Sequence, residues 1–251
     1  ARGPEPAEGT AGAPAWARAL LAAAAVASMV LGVLPRPAVA EAGDIDVYFG
    51  QGCFWHVQNE LVNQEAKILG RSGTQITALT GYAGGTSIGP AGEVCYHNRF
   101  SAPDYGQMGH TEVVGMSVPE SKVGEIGKVL LDYAASSRAG RHDPQDRGPE
   151  YRSAIGLPGG MSGAAFEQIK RVSDGKLEFL PGQGNDGDTV GSKKVWVYDT
   201  AKFPFYQGEV YHQFHDDMQD RYPEDYHKLR EAKFGAGSLK KVKCPDMKIK
   251  S

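Results

Sequence analysis

Residues 41–251 predict a mixed domain of the α/β or α+β class. Three observations carry this reading: apolar runs of strand length alternate with amphipathic stretches of helix length, no segment repeats, and several connections are long and rich in Gly, Pro and Asp. Strand-like runs fall at 45–49, 76–82, 112–118 and 195–199. The spacing of apolar residues predicts helices over 54–69, 120–135, 162–171, 209–217 and 224–233. The loops at 83–109, 136–150 and 180–194 are of the length that tends to carry a functional site.

The first forty residues have a different composition. Residues 1–15 are rich in Ala, Gly and Pro. An Ala- and Leu-rich run from Ala19 to Leu34 follows, with Arg18 before it, Pro35 after it and Ala38-Val39-Ala40 as a small-x-small pattern. This is the layout of a secretory-type leader cleaved after Ala40, and the run is short for a membrane anchor. Residues 1–40 are therefore expected to be a targeting leader, and 41–251 a single catalytic domain whose end, from about 235, is a flexible tail. The expected destination is an exported or organellar compartment, the thylakoid lumen of a plastid first, with the periplasm or secretion as alternatives.

Beyond the leader the chain holds 24 basic and 28 acidic residues, a net charge of −4. Basic residues are scattered apart from Lys240, Lys241 and Lys243, which argues against nucleic acid as a partner. Three cysteines, Cys53, Cys95 and Cys244, make no disulfide scaffold, and the absence of a Cys-x-x-Cys pair argues against a zinc ribbon. An odd count leaves at least one thiol free to react.

Gly52-Cys53-Phe54-Trp55 stands between the first strand and the first helix. There the helix dipole and unpaired N–H groups favour a thiolate, and the aromatic pair offers a wall for something small and apolar, such as a methyl thioether. A buried, inert cysteine is the plainer alternative. Gly81-Tyr82-Ala83-Gly84-Gly85 lacks the Lys-Ser/Thr of a phosphate loop, and its glycines suit tight turns. Gly109-His110-Thr111-Glu112 places at a strand's edge a carboxylate that burial could turn into a general acid; a solvated rim glutamate is the alternative. Asp146-Arg147-Gly148-Pro149-Glu150-Tyr151-Arg152-Ser153 offers a phenol at a loop corner. In residues 205–217, Glu209 and His212 have the Glu-x-x-His spacing of one helical face, and His212, His215 and Asp216 form a weak metal candidate.

These segments, with Glu93-Val94-Cys95, occur in one order over residues 45–217, and the ordered set resembles the A-type peptide methionine sulfoxide reductases. The resemblance implies an α+β fold: a two-layer sandwich with a mixed sheet and an elaborated ferredoxin-like core. It also implies thiol-dependent reduction of the S epimer of methionine sulfoxide. Cys53 is then the nucleophile, Glu112 the acid that protonates the sulfoxide oxygen, and Tyr151 a second donor to it. Phe54 and Trp55 hold the methyl group, with Asp146, His212 and Tyr82 lining the site. Attack leaves a sulfenic acid on Cys53. Cys244 is expected to resolve it as a Cys53–Cys244 disulfide, with Cys95 or no internal resolver as alternatives. No metal, nucleotide or flavin is implied. The expected partners are oxidised proteins or peptides and a thioredoxin-like reductant, with the chain a monomer not inserted in a membrane once the leader is removed.

Several positions depart from the family pattern. His56 stands for the usual Gly, and Ala91 occupies the place of a second site tyrosine, for which Tyr105, Tyr96 or Tyr82 could substitute. Gln207-Gly208 replaces a common Ala, and no Gly-Tyr-Cys-Gly segment follows residue 213. Two other readings remain open: another thiol enzyme with His56, His110 or His212 as base, and a non-catalytic relative that binds methionine-rich or oxidised proteins.

Overall fold

The computed structural model describes residues 43–97, 103–136, 140–215 and 222–244. The expected leader, Asp216 and Asp217, and the chain end beyond Cys244 lie outside them. Seven strands form one mixed sheet in the order β5-β6-β4-β1-β3-β2-β7. They are β1 (Asp44–Gly50), β2 (Leu79–Ala83), β3 (Thr111–Pro119), β4 (Ala154–Leu157), β5 (Glu178–Pro181), β6 (Lys194–Asp199) and β7 (Tyr206–Gln207). The helices are α1 (Phe54–Leu69), α2 (Val123–Ala135), α3 (Ala164–Ser173) and α4 (Glu224–Gly235). The succession β1-α1-β2-β3-α2-β4 with strand order 4-1-3-2 is the ferredoxin-like unit. Strands β5 and β6 extend it in parallel beyond β4, and β7 adds an antiparallel edge beyond β2. The α+β class, with a mixed sheet, is therefore the observed one.

Alternation along the strands makes the two layers. Val47 and Phe49 of β1, Val114, Met116 and Val118 of β3, and Val195 and Val197 of β6 face the main core. Against them pack Phe54, Val57, Leu61 and Val62 of α1, Val123, Ile126, Leu130 and Leu131 of α2, Ala165, Phe166 and Ile169 of α3, and Tyr226 of α4. The intervening residues Tyr48, Val113 and Tyr198 point to the opposite face, where Phe203 and Phe205 cover them. α1 shows why a helix forms here: its buried positions recur at intervals of three and four, and Gly70 closes it in the left-handed conformation at φ 66°.

Three expectations need correction. The strand expected over 76–82 begins only at Leu79, because Thr77 and Ala78 spend their N–H groups on the buried carboxylate of Glu65. The helix expected over 209–217 is a single 3₁₀ turn, Val210–His212, with Gln213 extended. The chain up to Cys244 is also not a free tail: Leu239 is buried, and the Lys240 N–H donates to Gln207 Oε1 at 3.2 Å.

Candidate active site

Cys53 is the N-cap of α1, directly after the end of β1. Gly52, at φ 80°, lets the chain turn there. A Cβ on it would lie 2.7 Å from Asp146 Oδ2 and 3.1 Å from the Arg141 side chain, so the position takes glycine on two grounds. The Cys53 N–H donates to Asp146 Oδ2 at 3.0 Å, and the Gly52 N–H to the Tyr151 carbonyl at 3.2 Å. The segment leading into β4 is thus pinned at two points to the start of α1. The thiol is free and half-buried. Burial, and then the charge of Glu112, push its pKa well up, while the N–H groups of Trp55 and His56 pull it down. The helix start acts in the expected direction but is outweighed.

Glu112 lies in β3 and is buried. Its Oε2 accepts the Phe54 N–H at 2.8 Å and its Oε1 accepts the Tyr105 hydroxyl at 3.1 Å. Removal from water outweighs both hydrogen bonds and raises its pKa to about 8. Near neutral pH this carboxyl keeps its proton, so the site holds an acid next to a thiol.

Around this pair stands a set of rings. Phe54 packs 6.2 Å from Trp55, 5.2 Å from His212 and 6.3 Å from Tyr96, between ring centroids. The phenols of Tyr96 and Tyr151 both stand close enough to Glu112 to feel its charge. Burial first, and then the charge of Glu112, raise both, Tyr96 to about 12, so both stay protonated as donors. His212 is buried and 4.5 Å from the Tyr96 ring; loss of solvent lowers its pKa to about 3, leaving a neutral imidazole. On the open side, Cys53, Trp55, His56, His142, Asp143, Asp146 and Tyr222 line a cavity of about 120 Å³. His56 stacks on His142 at 3.7 Å between ring centroids.

Thus Cys53, Phe54, Trp55, Glu112, Asp146, Tyr151 and His212 come together at one place. Tyr82 sits behind it: fully buried, it stacks on Tyr105 at 4.8 Å and donates to Glu209 Oε2 at 2.8 Å. Glu209 and His212 do not share a helical face. Gln213 binds the N–H and carbonyl of Thr80 at 2.9 Å each, which draws the chain into an extended form after one turn. Cys244 is the clearest departure. It is bonded to Cys95, with Cα atoms 5.6 Å apart, so the expected Cys53–Cys244 disulfide is not the pairing present.

Sequence reasoning gave no role to Arg152 and Arg141, both buried. Arg152 donates to Tyr198 Oη and to the carbonyls of Gly84, Gly109 and Pro149, which ties the loops before β3 and before β4 together. Arg141 reaches Asp188, Ser153 and Thr189 and abuts Gly52. The only sequence signal was a charged residue beside Tyr151, and charge alone reads as surface.

No protein-family profile matches the chain. Among curated proteins it is 29% identical over 182 residues to the peptide methionine sulfoxide reductase MsrA of Pseudomonas aeruginosa, covering 71% of this chain and 72% of that one. The enzyme of the same name from Corynebacterium melassecola is 29% identical over 192 residues, 73% of each chain. The chain is thus similar to these reductases over about seven tenths of its length. A solved structure, methionine sulfoxide reductase A of Corynebacterium diphtheriae, aligns with a TM-score of 0.41 at 18% identity, over 73% of this chain and 80% of that one.

Proposed function

We propose that the chain is a peptide-methionine (S)-S-oxide reductase: it reduces methionine sulfoxide in oxidised proteins and peptides to methionine. The observation that carries this is a protonated, buried carboxyl, Glu112, bonded to the first N–H of the helix that the nucleophilic Cys53 caps.

A sulfoxide sulfur becomes electrophilic when its oxygen gains a proton. Glu112 supplies that proton, and Tyr151 and Tyr96 donate hydrogen bonds to the same oxygen. Tyr96 takes the part of the phenol absent at Ala91, because it is the candidate whose ring lies against both Phe54 and His212. The Cys53 sulfur bonds to the sulfoxide sulfur; in that adduct the protonated oxygen passes to Cys53 as the S–O and S–S bonds to the substrate sulfur break, and the thioether leaves as methionine. The oxygen stays on Cys53 as a sulfenic acid, and the thiol proton restores Glu112. Trp55 and Phe54 hold the methyl group and keep water away. An S preference follows from one wall of rings facing one set of oxygen donors.

With Cys244 bonded to Cys95, Cys53 returns to the thiol by attack of an external dithiol such as a thioredoxin, which becomes a disulfide as water leaves. Turnover of the separated S and R epimers of an acetylated methionine sulfoxide amide, with dithiothreitol, tests the reading. S-selective turnover that disappears in Cys53→Ser supports it. Folded protein that binds the sulfoxide peptide without reducing it indicates a binding relative instead.

A further inference from the structure

The Cys95–Cys244 disulfide does not stand alone. One carboxylate oxygen of Glu209 and the two sulfurs all lie within 4.8 Å of one another. Glu209 and Cys95 are buried, 5% and 1% exposed, and Cys244 is half-buried. We propose that Cys95, Cys244 and Glu209, once the disulfide is reduced, form a binding site for a thiophilic divalent cation, with Zn²⁺ as the type ion. The inference is independent of the reaction at Cys53.

The donor set is the first argument. Two thiolates and a carboxylate suit zinc or a similar ion, whose Zn–S and Zn–O bonds of about 2.3 and 2.1 Å set neighbouring donor atoms roughly 3.5 Å apart. The three donor atoms already lie within reach of that spacing, so side-chain rotation is enough to open the sulfurs around an ion. The half-buried side at Cys244 leaves a fourth position for water.

The second argument is that the donors are held by contacts other than the S–S bond. The Tyr105 N–H donates to the Cys95 carbonyl at 2.9 Å. On the Cys244 side, Gln207 binds both the N–H and the carbonyl of Lys240, and Leu239 is buried at 1% exposure. Glu209 is oriented by the Tyr82 hydroxyl and the Tyr96 N–H, both at 2.8 Å. Hydrogen bonds of this kind, made to a ligand from behind, fix its direction and raise metal affinity. Reduction therefore leaves two thiols beside an already aimed carboxylate.

The exchange balances. A dithiol reductant passes two electrons and two protons to the Cys95–Cys244 bond and becomes a disulfide, and the cation then replaces the two thiol protons. Disulfide and cation exclude each other, so the site reports redox state. Its position matters because Tyr96 follows Cys95 directly and lies against Phe54 and His212. No short cysteine spacing announces such a set in sequence, since its ligands come from three separate segments.

The test uses the full chain as Cys53→Ser, which removes the competing thiol. The protein is reduced with a phosphine, shown by alkylation to have two free thiols and by circular dichroism to be folded, and titrated without oxygen with Co²⁺. The expected result is one Co²⁺ per chain with a thiolate-to-cobalt charge-transfer band, displaced by Zn²⁺ and absent before reduction. Cys95→Ser and Cys244→Ser should lose the band, and Glu209→Gln should weaken binding by about tenfold or more. Absence of the band in the reduced, folded protein overturns the proposal. So does a band that persists in Cys244→Ser, or affinity unchanged in Glu209→Gln.

Discussion

Gly52, Glu112 and Tyr96 show how single residues decide this site. Gly52 holds a positive φ with Asp146 Oδ2 in the space a side chain would need. Gly52→Ala is expected to cost about 1–2 kcal/mol for the backbone alone and to move Asp146 off the Cys53 N–H, which urea unfolding and turnover would both register. For Glu112, the pKa of about 8 predicts that kcat/KM falls as pH rises through that value, because the acid is lost. Glu112→Gln should remove this dependence and cost about 10²–10⁴-fold in rate. Tyr96→Phe should cost roughly ten- to hundredfold, the worth of one charge-assisted hydrogen bond. A Tyr96→Phe protein with wild-type kinetics, beside a slow Tyr151→Phe, would remove Tyr96 from the mechanism. Of these residues, Cys53 and Glu112 were legible from their motifs. Tyr96 was one candidate among three until its place against Phe54 and His212 singled it out.

At the level of elements, what could be read depended on whether one face of a segment meets water. Helix α1 has a clear apolar stripe, and its bounds agree with the periodicity to the residue. Strand β4, Ala-Ile-Gly-Leu, is buried at all four positions and shows no alternation, so nothing in sequence marked it as a strand. The segment after Glu209 misled for another reason. Its spacing suits a helix, but Gln213 and Gln58 satisfy the backbone from the side, with Phe214 at φ 51° donating its N–H to Gln58 Oε1. Gln213→Ala takes this partner from the Thr80 N–H, while the Thr80 carbonyl keeps the Gly208 N–H at 2.9 Å, and is expected to destabilise by about 1–3 kcal/mol. Arg152 joins more elements than any motif suggested. Arg152→Lys keeps the charge but not the fork to Gly84, Gly109 and Pro149, so a drop in melting temperature together with a lower kcat is expected.

For the whole molecule, the buried titratable groups set a stability profile with two flanks. The folded-state pKa of Glu112, about 8, lies above its ordinary 4.5, so the folded chain holds this proton longer than the unfolded one. Its contribution is fully present below 4.5 and is lost as pH rises towards 8. His212 is depressed from 6.5 to about 3, so the unfolded chain binds its proton first and stability falls as pH drops from 6.5 to 3. Between 4.5 and 6.5 the two slopes oppose each other. Melting temperatures across pH should therefore fall off on both sides, with Glu112→Gln flattening the alkaline flank alone. The fold class was legible because strand and helix periods are written locally. The pairing of Cys95 with Cys244, 149 residues apart, was not, because only the folded sheet and the chain end packed beside it bring the two together.

The most direct measurement is a single turnover without reductant, on protein that retains the Cys95–Cys244 disulfide, given excess methionine sulfoxide peptide. With Cys53 as the one free thiol, the account predicts one methionine per chain and a sulfenic acid trapped by dimedone on the Cys53 peptide. Methionine formed with Cys53 unlabelled, or none formed by folded protein, would contradict it.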